Sequence, residues 1–314
     1  MGNPGWNRLR FLLAYKYFLG FYYGERLRDY PLRVSVKMLL SRFAFASQLP
    51  LLLPDKHSLM SYYGAKMYIA LYSSPIAMDQ AFGVYEYWKT RLLFDLLKEG
   101  MTVVDIGAWE GNYSLIFAKL MHDRGRVLAF EPDPDNCDWI RKNIHANSYK
   151  CIELYPFALS DNEGSATFYP GSGLGSLVYR PSWRTPVRKE PITVQTRTLD
   201  NVLNEQHIHD VHIIKMDVEG SDLLVLKGAE HTLRNNKVSL LMDVDVFSNA
   251  EREELFEILN SCGFKVHRIG RELKPLRTAD ELFLFPSHGI GGELQPRRIR
   301  KHQIVREIYA TKPQ

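Results

Sequence analysis

The feature that most narrows how this chain can fold is an alternation. Two short apolar runs, Thr102 to Ile106 and Arg126 to Phe130, are each followed by a stretch with helical spacing, Asn112 to Met121 and Asp135 to Ala146. Strands that alternate with helices are joined by crossovers, so they lie parallel in one sheet that needs cover on both faces. The texture continues: strands are predicted over Cys151 to Tyr155, Val211 to Met216 and Val238 to Val244, and helices over Asp222 to Arg234 and Ala250 to Cys262. Phe264 to Ile269 and Glu281 to Phe285 read as a closing strand pair. The expected class is α/β: a mostly parallel twisted sheet with helices on both faces, an antiparallel C-terminal strand pair and an N-terminal helical extension. Ligands of such sheets bind beyond the carboxyl ends of the strands.

Three regions separate by texture: a basic, aromatic extension over 1–75, the alternating domain over 76–287, and a polar, basic tail over 288–314. The extension is broken by Pro31, Pro50 and Pro54, which predicts short helices and one strand at Lys66 to Tyr72. The net charge of +4 is unevenly placed: in the extension Arg8, Arg10, Lys16, Arg26, Arg28, Arg33, Lys37 and further basic residues face only Glu25, Asp29 and Asp55, so the rest of the chain is slightly acidic. Those charges also interrupt the apolar beginning too often for a membrane span, and no small-residue cleavage site follows Phe11 to Ala14. Cys137, Cys151 and Cys262 are odd in number and far apart, which argues against a disulfide framework and a cysteine zinc site and fits a reducing, cytoplasmic setting. No nucleic-acid module accompanies the basic residues, so no nucleic-acid partner is expected.

The chemistry is carried by Asp105-Ile-Gly107-Ala-Trp-Glu-Gly111, which follows a strand and opens a helix, the setting a nucleotide-binding glycine loop requires. Gly107 is read as allowing close approach to a ligand, and Gly111 as allowing the helix start to pack tightly on the strand. The spacing is GxxxG with an acid before it, not the GxGxxG of a dinucleotide site. Asp105 would repel a pyrophosphate but can hold the cationic amino group of a methionine moiety, while the helix start at Asn112 can receive its carboxylate. The next strand ends in Glu131-Pro132, which places a carboxylate where it can accept hydrogen bonds from ribose hydroxyls. Taken singly, each half has a plainer reading: a turn for the glycine loop, a helix cap for Glu131.

At this point the sequence resembles the FkbM-type S-adenosylmethionine-dependent methyltransferases. The resemblance is carried by Phe82-Gly-Val-Tyr85-Glu86, by Val103 to Ser114, by Val127 to Pro132 and on through Asn143, by Ala158-Leu159-Ser-Asp161, and by Ile214-Lys-Met-Asp217-Val-Glu219-Gly220 with Leu226-Lys-Gly228-Ala229. It spans about Gln80 to Phe285. It implies a Rossmann-like class I methyltransferase with S-adenosyl-L-methionine as cofactor, bound by Asp105, Gly107, Ala108, Gly111, Asn112, Glu131 and Pro132. It further implies that Ala158, Leu159 and Asp161 lie near the adenine, with Asp217 and Glu219 near the transferred methyl. A helix N-cap is the plainer reading of Asp217.

Methyl transfer to a hydroxyl is an in-line substitution that needs alignment and a destination for one proton. Asp217 is the first candidate base; His207, His209 and His212 precede it in sequence. Asp243 and Asp245 stand where the family usually has a glutamate, so Asp217, Asp243 and Asp245 form a candidate Mg²⁺ site through oxygen ligands. The plainer reading gives one of the pair to solvent and the other to capping the helix at Ala250. The long loop from Pro170 to Pro191 carries Trp183, Arg180, Arg184 and Arg188, residue types that stack on a sugar ring and hold a phosphate or carboxylate.

The substrate expected from the resemblance is a small molecule or a glycan, glycolipid or related natural-product hydroxyl. The rivals are a lipid, protein or RNA acceptor and a catalytically silent cofactor-binding module; a dehydrogenase is disfavoured by the glycine spacing. The aromatics Trp6, Phe11, Leu12, Tyr15, Phe18 and Tyr22 recur near helical spacing. They leave two outcomes open: peripheral contact with the inner face of a membrane, or packing against the core or a second subunit in a homodimer.

Overall fold

A computed structural model describes residues 30–46, 57–70, 75–171, 175–179, 190–244, 248–281 and 307–312. The chain divides into two compact units, Met1–Asp95 and Leu96–Gln314.

In the first unit, helix α1 (Leu32–Ala46) is followed by an antiparallel hairpin of β1 (His57–Tyr62) and β2 (Ala65–Ala70), then by α2 (Pro75–Phe82) and α3 (Tyr87–Leu96). The hairpin turns on Tyr63 and Gly64, both with positive φ, the backbone that a two-residue connection between twisted strands favours. Tyr30, Val34, Met38 and Val84 form a small core flanked by Phe82, Tyr87 and Trp88. The expected strand at Lys66 to Tyr72 is β2, over Ala65–Ala70; its partner β1 was not foreseen. The boundary between units lies at Asp95, not at residue 75, because α2 packs on α1 and on the hairpin.

The second unit contains β3 (Thr102–Ile106), α4 (Asn112–Leu120), β4 (Arg126–Phe130), α5 (Pro134–Asn147), β5 (Ile152–Tyr155), β6 (Ala158–Leu159), β7 (Gly164–Phe168), β8 (Ile192–Arg197), α6 (Leu199–Glu205) and β9 (Ile213–Met216). It continues with α7 (Asp222–Lys227), α8 (Glu230–Asn235), β10 (Ser239–Asp243), α9 (Asn249–Ser261), β11 (Lys265–Arg268), β12 (Lys274–Pro275) and β13 (Glu307–Thr311). Eight strands form one sheet in the order β12-β11-β13-β10-β9-β3-β4-β5, parallel from β10 to β5. Consecutive residues of β3, β4 and β9 are buried, so both faces of the sheet are covered. Strand order runs outward from β3 in both directions, which puts the crevice at its carboxyl end, between the ends of β4 and β9. A second sheet, β6-β8-β7, has three strands.

Two expectations are corrected. The closing partner of β11 is β13, drawn from the stretch read as a polar tail, while Glu281 ends a single 3₁₀ turn, Ala279–Glu281, and 282–285 lie outside the described residues. β13 sits between β10 and β11, so Ile308 and Ala310 have no exposed surface. The helix expected over Asp222 to Arg234 is two helices broken at Gly228, where a Cβ would come within 1.9 Å of the Ser160 carbonyl oxygen. The strands β6, β7 and β8 were not foreseen beyond the motif at Ala158.

Candidate active site

The loop between β3 and α4 is a run of left-handed turns: Gly107, Trp109 and Gly111 all have positive φ. The N–H groups of Gly107 and Ala108 both donate to the Phe130 carbonyl, at 3.1 and 3.0 Å, which ties the loop to the end of β4. The two glycines are required by other neighbours than the sequence suggested. A Cβ on Gly107 would meet the Asp217 carbonyl oxygen, and one on Gly111 would press on Ile140 of α5 at 3.3 Å. Gly111 is also the N-cap of α4 and brings no side-chain cap, so the first N–H groups of that helix remain suited to an anion.

Asp105 has no exposed surface. Its Oδ2 accepts from Ser114 Oγ on α4 at 2.6 Å, and its Oδ1 lies 3.6 Å from Lys215 Nζ. Its carboxylate thus ties the end of β3 to α4 and faces Lys215 of β9, while Oδ1 accepts no hydrogen bond from the described residues. Lys215, opposite Asp105 in the β3–β9 register, is 3% exposed. Its Nζ donates to the Gly107 carbonyl at 3.1 Å, lies 3.8 Å from Asp217 Oδ2 and sits 5.1 Å from the centre of the Tyr113 ring. Neither Lys215 nor Ser114 was given a role from sequence. The available signal was a charge in the middle of an otherwise apolar buried strand, a placement that demands partners.

Glu131, 4% exposed, follows β4. Its Oε2 accepts from the Trp109 N–H at 2.8 Å, and its Oε1 from the Asp133 N–H at 2.9 Å and Asn136 Nδ2 at 3.2 Å. A carboxylate has about four acceptor positions, so these three donors leave room on Oε2 for a ribose hydroxyl. Burial pushes the Glu131 carboxyl up to about 7, against the opposing effect of these hydrogen bonds. The plain helix-cap reading of Glu131 does not hold, since Asp133 is the N-cap of α5. Pro132 is half-buried beside it.

Asp217 follows β9 directly, its N–H donating to the Ile106 carbonyl at 3.0 Å, and its side chain is 20% exposed. It is not a helix cap: α7 begins five residues later, at Asp222, and Ser221 holds its N-cap position. The turn between them passes through Glu219 and Gly220, both with positive φ, and leaves Glu219 half-buried. Asp217 and Asp243, at the ends of adjacent strands, bring carboxylate oxygens within 4.8 Å of one another. Asp245 lies outside the described residues, and the helix it was offered as a cap for is closed by Ser248 and Glu251 in a capping box. His212 is at the wrong end of the sheet to act as base: its Nδ1 accepts from the Thr102 N–H at 3.1 Å, at the amino ends of β3 and β9, roughly 16 Å of strand from Asp217. His207 and His209 precede it and share that end.

Ala158 and Leu159 are buried, Ala158 against Phe168 and Val194 and Leu159 in the main core, whereas Asp161 is exposed. In the loop from Pro170 to Pro191, residues 172–174 and 180–189, with Trp183, Arg180, Arg184 and Arg188, lie outside the described residues. Among the described residues, no helix is long and apolar enough to cross a membrane.

A methyltransferase FkbM domain model matches residues 105–266. The 2-O-methyltransferase NoeI of Sinorhizobium fredii is 28% identical over 181 residues, 53% of this chain and 70% of that protein. The hexuronic acid methyltransferase AglP of Haloferax volcanii is 25% identical over 172 residues, 55% of this chain and 66% of its own length, just under two thirds. The methyltransferase sdnD of Sordaria araneosa is 28% identical over 234 residues, 64% of this chain and 88% of that one.

Proposed function

From the premise that this chain belongs to the FkbM methyltransferase family and is an S-adenosylmethionine-dependent methyltransferase, we propose that it methylates a hydroxyl of a glycan, glycolipid or related natural product. The observation that carries the reading is the position of Asp217: a partly exposed carboxylate at the end of β9, packed against the cofactor loop through Gly107 and Lys215. The sugar acceptor is supported by the names of two relatives, a 2-O-methyltransferase and a hexuronic acid methyltransferase.

The residues present fit the cofactor. Bound there, S-adenosylmethionine supplies an electrophilic methyl group on a sulfonium. The uncapped start of α4 at Asn112 would receive the carboxylate, the loop through Gly107, Ala108 and Gly111 would hold the methionine moiety, and Glu131 Oε2, next to Pro132, would accept from a ribose hydroxyl. Ala158, Leu159 and Asp161 would border the adenine. Asp105 holds the loop in place. Asp217 would orient the acceptor hydroxyl and would take its proton as that oxygen is methylated, the leaving electron pair remaining on the cofactor's sulfur. Glu219 lines the acceptor side.

The approach of Asp217 to Asp243 favours one second reading, in which these two carboxylates would hold Mg²⁺ and the ion would polarise the acceptor hydroxyl; Asp245, the third ligand expected from sequence, lies outside the described residues.

The test is methyl transfer to a panel of sugar, lipid, peptide and RNA acceptors, alongside calorimetric titration of S-adenosylhomocysteine. Asp217→Asn should lower kcat by about 10² to 10³ while the affinity for S-adenosylhomocysteine moves by less than about threefold. Methylation of peptide or RNA but no sugar would overturn the acceptor class, and cofactor binding without transfer to any acceptor would point to the silent module. Activity abolished by chelator and restored by Mg²⁺ would select the metal reading.

A further inference from the structure

Helix α1 has two apolar faces, and the fold uses one of them. Val34 and Met38 turn into the small core with Tyr30 and Val84. On the other side Leu32, Val36, Leu39 and Leu40 are 81, 46, 42 and 50% exposed. At about 100° of rotation per residue, these four fall within one arc of about 100°, so they form a continuous stripe and not scattered exposure. Arg33 and Lys37, both exposed, border the stripe on one side, and Leu32–Ala46 contains no acidic residue.

We propose that this face of α1 docks on an anionic lipid surface, with Leu32, Val36, Leu39 and Leu40 entering the boundary between headgroups and acyl chains and Arg33 and Lys37 meeting the headgroup phosphates. The charge pattern favours lipid over a second copy of the chain: Leu32–Ala46 offers no acidic residue with which Arg33 and Lys37 of another copy could pair, whereas headgroup phosphates supply the opposite charge. The chain immediately before α1 adds Arg8, Arg10, Lys16, Arg26 and Arg28 against Glu25 and Asp29, which raises attraction to negative lipid. A fifteen-residue helix carrying Arg33, Lys37 and Arg42 is too short and too charged to span the bilayer, so it lies in the surface plane. The sequence placed its candidate membrane contact between Trp6 and Tyr22, outside the described residues; α1 is a separate element, and its docking does not depend on the methyltransferase reading.

The experiment is co-sedimentation of the full chain with vesicles of phosphatidylcholine alone and with added phosphatidylglycerol. The wild type should partition onto the phosphatidylglycerol vesicles and weaken with salt. Leu32→Ser, Val36→Ser, Leu40→Ser combined should lose about tenfold or more in partitioning, and Arg33→Gln, Lys37→Gln should lose several-fold together with part of the salt dependence. S-adenosylhomocysteine binding should be unchanged in both, since every substituted side chain is exposed, and this controls for folding. Vesicle binding by the triple serine variant equal to wild type would overturn the proposal, as would no binding by the wild type. A wild-type dimer in sedimentation that the serine variant converts to monomer would assign the face to a protein contact instead.

Discussion

The carbonyl oxygen of Asp217 occupies the space that a side chain on residue 107 would need: a Cβ there would lie 1.9 Å from it. The cofactor loop and the end of β9 thus meet backbone to backbone, and the distance between the loop and the Asp217 carboxylate is fixed by the absence of one carbon.

Gly107→Ala is therefore expected to disturb the site twice. Residue 107 has a φ of 72, where a side chain costs about 1 kcal/mol or more, and relieving the overlap must push the loop away from β9. The affinity for S-adenosylhomocysteine should fall by more than about tenfold and kcat/KM by more than the binding loss, since small misplacement is costly in an in-line transfer. Calorimetry and steady-state kinetics check this; a wild-type kcat/KM would show that the loop and β9 need not touch.

Lys215 is the buried cation between Asp105 and Asp217. Lys215→Met should destabilise the fold by about 3 to 5 kcal/mol, the usual cost of leaving a buried carboxylate without its counter-ion. Lys215→Met combined with Asp105→Asn should recover part of that loss. Urea denaturation of the single and double variants gives the coupling, and additive losses would mean that Lys215 acts through packing alone.

The buried carboxyl of Glu131 gives a pH signature. Its folded pKa, about 7, lies above the ordinary value of 4.5 because burial penalises the anion. The folded state therefore holds the proton more tightly than the unfolded chain, so ionised Glu131 costs stability above pH 7, and the cost is relieved as pH falls from 7 towards 4.5. The span is about 3 kcal/mol. Relative to Glu131→Gln, the wild type should gain melting temperature between about pH 8 and about pH 5. Parallel melting curves for the two proteins would refute the assignment.

Ile308→Ala tests the last strand. Ile308 has no exposed surface and sits between β10 and β11, so the substitution should cost about 2 to 5 kcal/mol. A residue of a solvated tail would change stability by about 0.5 kcal/mol or less, and chemical denaturation separates the two.

The parallel part of the sheet was legible because each strand is a self-contained signal. Thr102 to Ile106 and Arg126 to Phe130 are apolar, buried on both faces, and each is followed by a helix whose spacing shows in the sequence. The cofactor loop was legible for a related reason: Gly107 and Gly111 stand at a strand-to-helix junction, and the positive φ that requires them is a local property. Local capping chemistry settled other readings only once partners were visible, as when Ser248 with Glu251 and Asp133 took the caps that the Asp243/Asp245 pair and Glu131 had been offered for.

The sequence by itself determined the βα alternation, the glycine loop and the acids at the ends of β4 and β9, because strand period, helix spacing and backbone sterics act over a few neighbouring residues. The tertiary structure alone decided that Glu307–Thr311 inserts into the sheet and that Glu131 braces Trp109. It also decided that Lys215 joins Asp105 to Asp217. Apart from the two-residue step between Lys215 and Asp217, each of these pairs groups separated by tens of residues, and a side chain's partner across such a gap is set by how the whole sheet closes, not by its neighbours along the chain.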